Sequence, residues 1–435
     1  MRSFWRGIKT SLVFVLLVPL LSGCWDRLDP ENMAFIVAIG VDPGPQNDYL
    51  FTFAIAAPKS INVSSGGGGQ SSGGSEKKIL SLYTVESANI ATAIQTSQSF
   101  IARKLTLIHS KVFIFGETIA RKGIMPILSE VVRNREFRRT MYVLTSHGKA
   151  ETFIKNIMPT TETDISLWFE LELDPNDMGS VIPRNPRFHD FIMDIENVGS
   201  GAITIQTAPR IDVRQNKAGF PEPVGTSGSE ASQPFSGNQN AGKIHRAGET
   251  PVEFFGTAVY KSSKLAGFLK GSETRILNML RGDFLKTSWD FSDPADTKLN
   301  LTIDMKAQRQ IKMKVTRTND SVKVSFHASM EGDLISVQTN VDYTKPENEK
   351  KLEKSIEKQI REQSIELLRK TLHEWQTDCY HINNRVKTTF STQKEWDEFQ
   401  WDKRIKDIEF DVDINFKMRR YGDQVGPAME GDEIQ

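Results

Sequence analysis

From Ile408 to Met418 the chain alternates without a break. Ile408, Phe410, Val412, Ile414, Phe416 and Met418 are apolar, and Glu409, Asp411, Asp413, Asn415 and Lys417 stand between them. Successive side chains of a strand point to opposite faces, so this pattern demands one buried and one wet face. A half-buried strand needs a layer to pack on, and the sequence offers one upstream. Leu352, Ile356, Ile360, Leu368, Leu372 and Trp375 recur three or four residues apart, Leu367 widens the stripe, and Pro346 suits a first helical turn. At 1.5 Å per residue that helix runs about 40 Å, enough to back a whole sheet. Its stripe keeps nearer a four-residue step than a heptad, which favours its own sheet over a coiled-coil partner. Leu299, Leu301, Ile303 and Met305 alternate with polar residues, and Val322 to Ala328 supply a further strand beyond a turn at Asn319-Asp320. The acidic residues on the outer face of the closing strand sit about 7 Å apart, which reads as a solvated face and not a cation site.

The first half alternates strands and helices. Met33 to Val41 reads as a buried strand ending at the turn Asp42-Pro43-Gly44-Pro45, and Tyr49 to Ala57 as its hairpin partner. Strand character resumes over Ile79 to Val85, Lys111 to Phe115 and Thr140 to Thr145. Helical spacing marks Glu86 to Ala102, Glu117 to Arg135 (split at Gly123 and Pro126) and Ala150 to Ile157. Asp174 to Asp190 reads as irregular, and Ala202 to Val213 as strands leading out of a first domain. Further on, Glu253 to Tyr260 and Leu265 to Leu269 pair as a hairpin. A helix then opens at Gly271 to Thr274 with Ser272 or Thr274 as N-cap, and Gln393 to Lys406 forms a shorter one. The expected fold class is α+β and multidomain, with mixed or antiparallel sheets, packed helices, and the long C-terminal helix against a sheet.

At the N-terminus, Arg2, Arg6 and Lys9 precede the apolar run Leu12 to Leu21, and Leu21-Ser22-Gly23-Cys24 closes it. This is the layout of a secretory signal with a lipobox. The apolar run is too short to span a bilayer stably. Cleavage behind Gly23 leaves Cys24 as an S-diacylglycerol, N-palmitoyl cysteine, and several chains on one group anchor firmly. The sequence has 55 basic and 55 acidic residues in 435, a balance that implies no strongly basic face and argues against nucleic acid as a partner. It holds two cysteines. With Cys24 acylated, Cys379 has no partner, so neither a disulfide framework nor a cysteine metal cluster is expected.

Candidate chemistry is sparse. Ser60 to Ser75 is nearly all Gly and Ser but lacks the lysine-hydroxyl pair of a phosphate loop, so it reads as a flexible loop. Asp174-Pro175-Asn176-Asp177 lacks the alternate acids and closing glutamate of an EF-hand. His109 admits a catalytic or ligand role, or a structural one fixing the loop before a strand; with no acidic or nucleophilic partner at a recognisable spacing, the structural role is favoured. Glu273 and Arg275 admit a catalytic reading too, but a glutamate in a first helical turn usually serves the helix dipole. No Gly-x-Ser-x-Gly, His-Glu-x-x-His or paired-cysteine motif is present. No catalytic, cofactor or metal residue is assigned, and the one site residue is Cys24.

Several separated motifs carry a resemblance. They include Gly23-Cys24-Trp25-Asp26-Arg27, Ile39-Gly40-Val41-Asp42, Leu107 to Glu117, Ala120 to Ile124 and Arg133-Asn134-Arg135-Glu136. Further along stand Gly256 to Tyr260, Leu265 to Leu269, Glu273-Thr274-Arg275, Trp375 with Asp378, Lys394-Glu395-Trp396, and Arg419 to Gly422. Together they resemble the Ger(x)C family of spore germination lipoproteins. The chain departs from the family pattern at Leu28-Asp29-Pro30 and at Cys379-Tyr380-His381. Residue patterns and the resemblance together give a signal peptide over 1–23, an N-terminal α+β domain over 24–197, a middle segment with a linker over 198–250, a C-terminal α+β domain over 251–422, as one unit or two, and a disordered tail over 423–435. The resemblance implies a non-catalytic subunit of a nutrient germinant receptor, acting in assembly or signal passing. Its partners would be two integral-membrane receptor subunits and the bilayer, which it meets through acylated Cys24 on the outer face of the spore inner membrane. The rival reading is a solute-binding lipoprotein of a membrane importer, which requires two α/β lobes and a ligand cleft. An extracytoplasmic hydrolase would require a nucleophile-base set or metal ligands.

Overall fold

The computed structural model describes residues 30–46, 48–56, 80–159, 162–174, 180–184, 186–209, 237–244, 250–318 and 321–422. Cys24 and its leader, the Gly/Ser stretch, most of the expected linker, the Asn319-Asp320 turn and the C-terminal tail lie outside the described residues.

Nine strands make the first sheet: β1 (Met33–Pro43), β2 (Tyr49–Ala56), β3 (Leu80–Ser87), β4 (Lys104–Thr106), β5 (Val112–Gly116), β6 (Tyr142–Ser146), β7 (Gly201–Pro209), β8 (Val252–Lys261) and β9 (Lys264–Leu269). The order is β3-β2-β1-β5-β6-β7-β8-β9, with β4 beside the start of β1. The central strands β1, β5, β6 and β7 run parallel, and antiparallel pairs flank them on both sides.

Helices cover both faces, which is why β1 is buried along nearly its whole length. Ile39, Val41 and Phe113 pack with Ile119, Ile127 and Phe191 from helices Glu117–Lys122, Met125–Arg133 and Phe188–Glu196. On the other face Val37, Ala38 and Ile114 pack with Phe153 and Trp168 from helices Ala150–Lys155 and Ile165–Glu172. Val37 and Ala38 are neighbours yet share a face, because a bulge between Ile36 and Ala38 shifts the register. The expected break in the Glu117–Arg135 stretch falls where glycine and proline require it. Gly123 has φ 126°, and Pro126 sits in the first turn of the next helix.

The second sheet contains β10 (Lys286–Ser292), β11 (Asn300–Ala307), β12 (Lys312–Thr318), β13 (Ser321–Val337) and β14 (Glu409–Arg420). Its order is β10-β11-β13-β12, and β14 runs parallel along β13. Ile303, Phe326, Val412 and Phe416 pack against Leu352, Ile356, Ile360 and Leu368 of the helix Pro346–Leu368, the expected layer. The same helix covers the outer edge of β14. The Phe416 N–H donates to Glu357 Oε1 (2.9 Å), and the Met418 N–H to Glu353 Oε1 (3.0 Å). An open strand edge is a template for unwanted pairing, and here two carboxylates occupy it. The helix does not reach Trp375 as one regular element. It ends at Leu368 and passes into a π-helical turn, Arg369–Glu374, closed by Trp375 N–H donating to Lys370 O (3.0 Å).

Three local expectations are revised and one unforeseen helix is added. β7 does not lead out of a domain but lies between β6 and β8, buried along its length. Helix Phe188–Glu196 starts inside the stretch read as irregular, just behind Pro186. Helix Ile165–Glu172 gave no clear period, since it exposes Leu167 and Leu171 while burying Ile165, Trp168 and Phe169. Neither Ser272 nor Thr274 caps helix Gly271–Arg281. The Glu273 carboxylate accepts from the Lys270 N–H (2.8 Å) instead, and the Thr274 hydroxyl pairs with Thr257 Oγ1 at 2.9 Å.

The segment after the π-helical turn fastens the two sheets together. Gly201 N–H donates to Asp378 O (2.7 Å), Lys261 Nζ to Gln376 Oε1 (3.0 Å), and Arg281 Nη1 to Cys379 O. His381 Nε2 lies 3.0 Å from Asp194 Oδ1. Gln376 and His381 hold φ 53° and 60°, left-handed values that favour glycine, so the tight path here is kept under local strain. Cys379 is free and buried, and burial pushes its thiol well above the ordinary range.

Candidate functional site

Two of the three sequence candidates for chemistry, His109 and Glu273, line clefts. The first cleft, about 370 Å³, opens where the parallel strands β5 and β6 begin and is lined by His109, Lys111, Arg138, Tyr142, Glu170 and Arg187 among others. His109 sits in the turn before β5, its ring edge-on to Phe35 at 4.9 Å. The turn itself is fixed by its neighbour, since Ser110 Oγ donates to Ile36 O (3.1 Å) and Ser110 N–H to Leu107 O (2.9 Å). Arg187, at the start of helix Phe188–Glu196, lies over the Tyr142 ring (3.5 Å to the centroid) and donates to Thr140 O (2.8 Å) and to the Tyr142 hydroxyl (2.7 Å). Burial raises the Tyr142 pKa, and the nearby guanidinium only partly offsets this. Lys111 pairs with Glu170. This cleft holds charge in fixed pairs around an aromatic wall.

The second cleft, about 350 Å³, lies between helix Gly271–Arg281, β10 and the long helix, and Lys270, Glu273, Asp290, Gln359 and Glu366 are among its lining. Glu273 is occupied twice, by the Lys270 N–H and by Lys370 Nζ at 2.6 Å. Arg275 is buried, near the Trp289 ring at 6.0 Å, and burial lowers its pKa to about 10 against the pull of Asp290. Glu273 thus closes its own helix, as a first-turn glutamate does, and also ties that helix to the C-terminal one.

Sequence reasoning missed a polar knot under the first sheet. His147 stacks on Phe268 (3.9 Å between centroids), and its Nδ1 lies 3.6 Å from Glu117 Oε2. Gln206 turns its amide nitrogen to the carbonyls of Leu269 (3.0 Å) and Phe255 (2.9 Å) and its oxygen to His147 Nε2. The four residues are far apart in the chain, so no spacing could have announced them. The Arg187–Tyr142 pair escaped for the same reason. Cys24 lies outside the described residues. Among the described residues, no helix is long and apolar enough to cross a membrane.

Comparison with known proteins supplies the class. The family described as the spore germination protein N-terminal domain matches residues 26–208, and the spore germination B3/GerAC-like C-terminal family matches residues 255–422. The chain belongs to the Ger(x)C family of spore germination proteins. Among individual proteins it is similar to spore germination protein KC of Bacillus subtilis (strain 168), at 23% identity over 96% of each chain. It is likewise similar to spore germination protein B3 of the same organism, at 22% identity over 95% of this chain and 98% of the relative. The crystal structure of the GerBC protein aligns with a TM-score of 0.49 at 18% identity, covering 87% of this chain and 96% of that one.

Proposed function

We propose that this protein is the lipid-anchored, non-catalytic subunit of a nutrient germinant receptor. Cys24, freed by cleavage behind Gly23, carries the acyl chains and holds the body on the outer face of the spore inner membrane. There the body docks on two integral-membrane subunits and acts in assembly or signal passing. The observation that carries this reading is the placement of the family match. It begins at residue 26, directly behind the lipobox cysteine, and its two parts extend to residue 422. The non-catalytic part is supported by the clefts. Several of their ionisable groups are engaged in structural pairs, Lys111 with Glu170, Arg187 with Tyr142, and Glu273 with Lys370 and the helix start. Passing a signal suits the joint between the sheets, where hydrogen bonds on both sides of a strained segment tie the two sheets together.

The test is Cys24→Ala. The unaltered protein should sediment with spore membranes, and its N-terminal peptide should carry a thioether-linked diacylglycerol and an amide-linked acyl chain on Cys24. The variant should appear in the soluble fraction and germinate poorly with nutrient. Full receptor function from a soluble, unlipidated protein would sink the reading.

A further inference from the structure

The balanced charge of the whole chain conceals an uneven placement. Four arginines fall within seven residues, Arg133, Arg135, Arg138 and Arg139, and all four are exposed. The acid inside this run, Glu136, is exposed as well, but its carboxylate is engaged, accepting from the Leu107 N–H (3.0 Å) and the Thr106 hydroxyl (3.4 Å). That clasp fixes the arginine loop beside β4, where Lys104 is exposed as well. Glu170 pairs with Lys111, and Asp190, exposed behind His189 whose N–H donates to Arg139 O (3.0 Å), leaves the four arginines and Lys104 in excess. Apolar side chains stand among the basic ones. Ile108 is 40% exposed in the turn before β5, and Leu171 is 54% exposed one residue from Glu170. Basic groups interleaved with exposed apolar ones are the composition of a surface that meets anionic lipid.

Position supports the same occupant. Lys104 pairs with Met33 at the very start of β1, so the incoming chain arrives beside this patch. Pro30, the first described residue, stands only six residues beyond Cys24. Fully extended they reach about 20 Å. A body tethered at Cys24 therefore keeps this end of the first sheet within that reach of the headgroups. The second sheet lies at the far side of the strand order from β4, beyond β8 and β9.

We infer that the arginine loop, β4 and the Ile108–Lys111 turn form a membrane-facing surface that seats the body on anionic phospholipid headgroups and so fixes its orientation. The inference rests on the lipid-anchor reading of Cys24. The full chain is reconstituted in vesicles of phosphatidylcholine alone, or of phosphatidylcholine with phosphatidylglycerol, and treated with a water-soluble amine-acetylating reagent. Peptide mass spectrometry then reads Lys104, with Lys314 on the exposed strand β12 as internal control. Labelling of Lys104 should drop at least about fivefold on the anionic vesicles, the effect of a single basic residue held at such a surface. High salt should restore it, and Lys314 should not change. The variant Arg135→Ala/Arg138→Ala/Arg139→Ala removes exposed side chains only. It should label at the neutral-vesicle rate on both vesicle types while its circular dichroism stays that of the parent. Equal labelling of Lys104 on the two vesicle types overturns the inference. The same digest reports the Cys24 peptide. A lipidated Cys24 with an unprotected Lys104 refutes the surface and spares the anchor, and an unmodified Cys24 with a protected Lys104 does the reverse.

Discussion

At His147 a single ring joins β6 to helix Glu117–Lys122, β7 and β9. Burial is the largest influence on it and holds its pKa below the ordinary 6.5, ahead of the opposing pull of Glu117. The folded state therefore prefers the neutral ring. The unfolded chain takes up its proton first as pH falls, so this contribution is complete above about 6.5 and is lost on acidification through the folded pKa. Melting temperature should decline as the buffer is taken from about pH 7 to pH 5, and His147→Gln should flatten that slope. A second residue-scale test concerns Gly267, where an added Cβ would stand 2.5 Å from Trp375 Cζ2. Gly267→Ala should cost about 1–3 kcal/mol in denaturant melts, because the indole must leave β9. Little of this was legible in the sequence. Glu273 was placed correctly at a helix start from local pattern alone, but its partner Lys370 lies 97 residues away, and pattern does not reach so far.

Elements were legible where their period was strong. The alternation of Ile408 to Met418 and the stripe from Leu352 to Leu372 each fixed a buried face, and the structure packs those faces together. What the pattern could not convey was the second use of the helix. Glu353 and Glu357 lie off the apolar stripe, yet they take the edge N–H groups of β14, and Glu353 also holds Lys417 Nζ at 3.1 Å. Glu353→Ala leaves a buried strand donor unsatisfied and should lower stability by about 1–3 kcal/mol in a urea titration. Ile360→Ala, in the middle of the same interface, should cost about 2–5 kcal/mol by the same measurement. The elements that escaped have a shared cause. Helix Ile165–Glu172 is apolar on both its buried and exposed sides, and β7 is buried on both faces, so neither shows the contrast on which period reading depends.

The whole molecule is a mixed sheet with helices on both faces, joined through its antiparallel edge to a second sheet backed by one long helix. The α+β class and the mixed sheets followed from the order of segments. The joint did not, since it depends on residues such as Asp378 and Gly201 meeting across the fold. Family membership gives this architecture a setting in spore germination, and the anchored-subunit reading gives it partners. That reading is tested most directly by solubilising spore membranes in detergent, recovering the acylated protein and identifying what comes with it. The account predicts two polytopic membrane proteins, lost together when Cys24→Ala detaches the body. Recovery of an importer permease with its ATPase would contradict it.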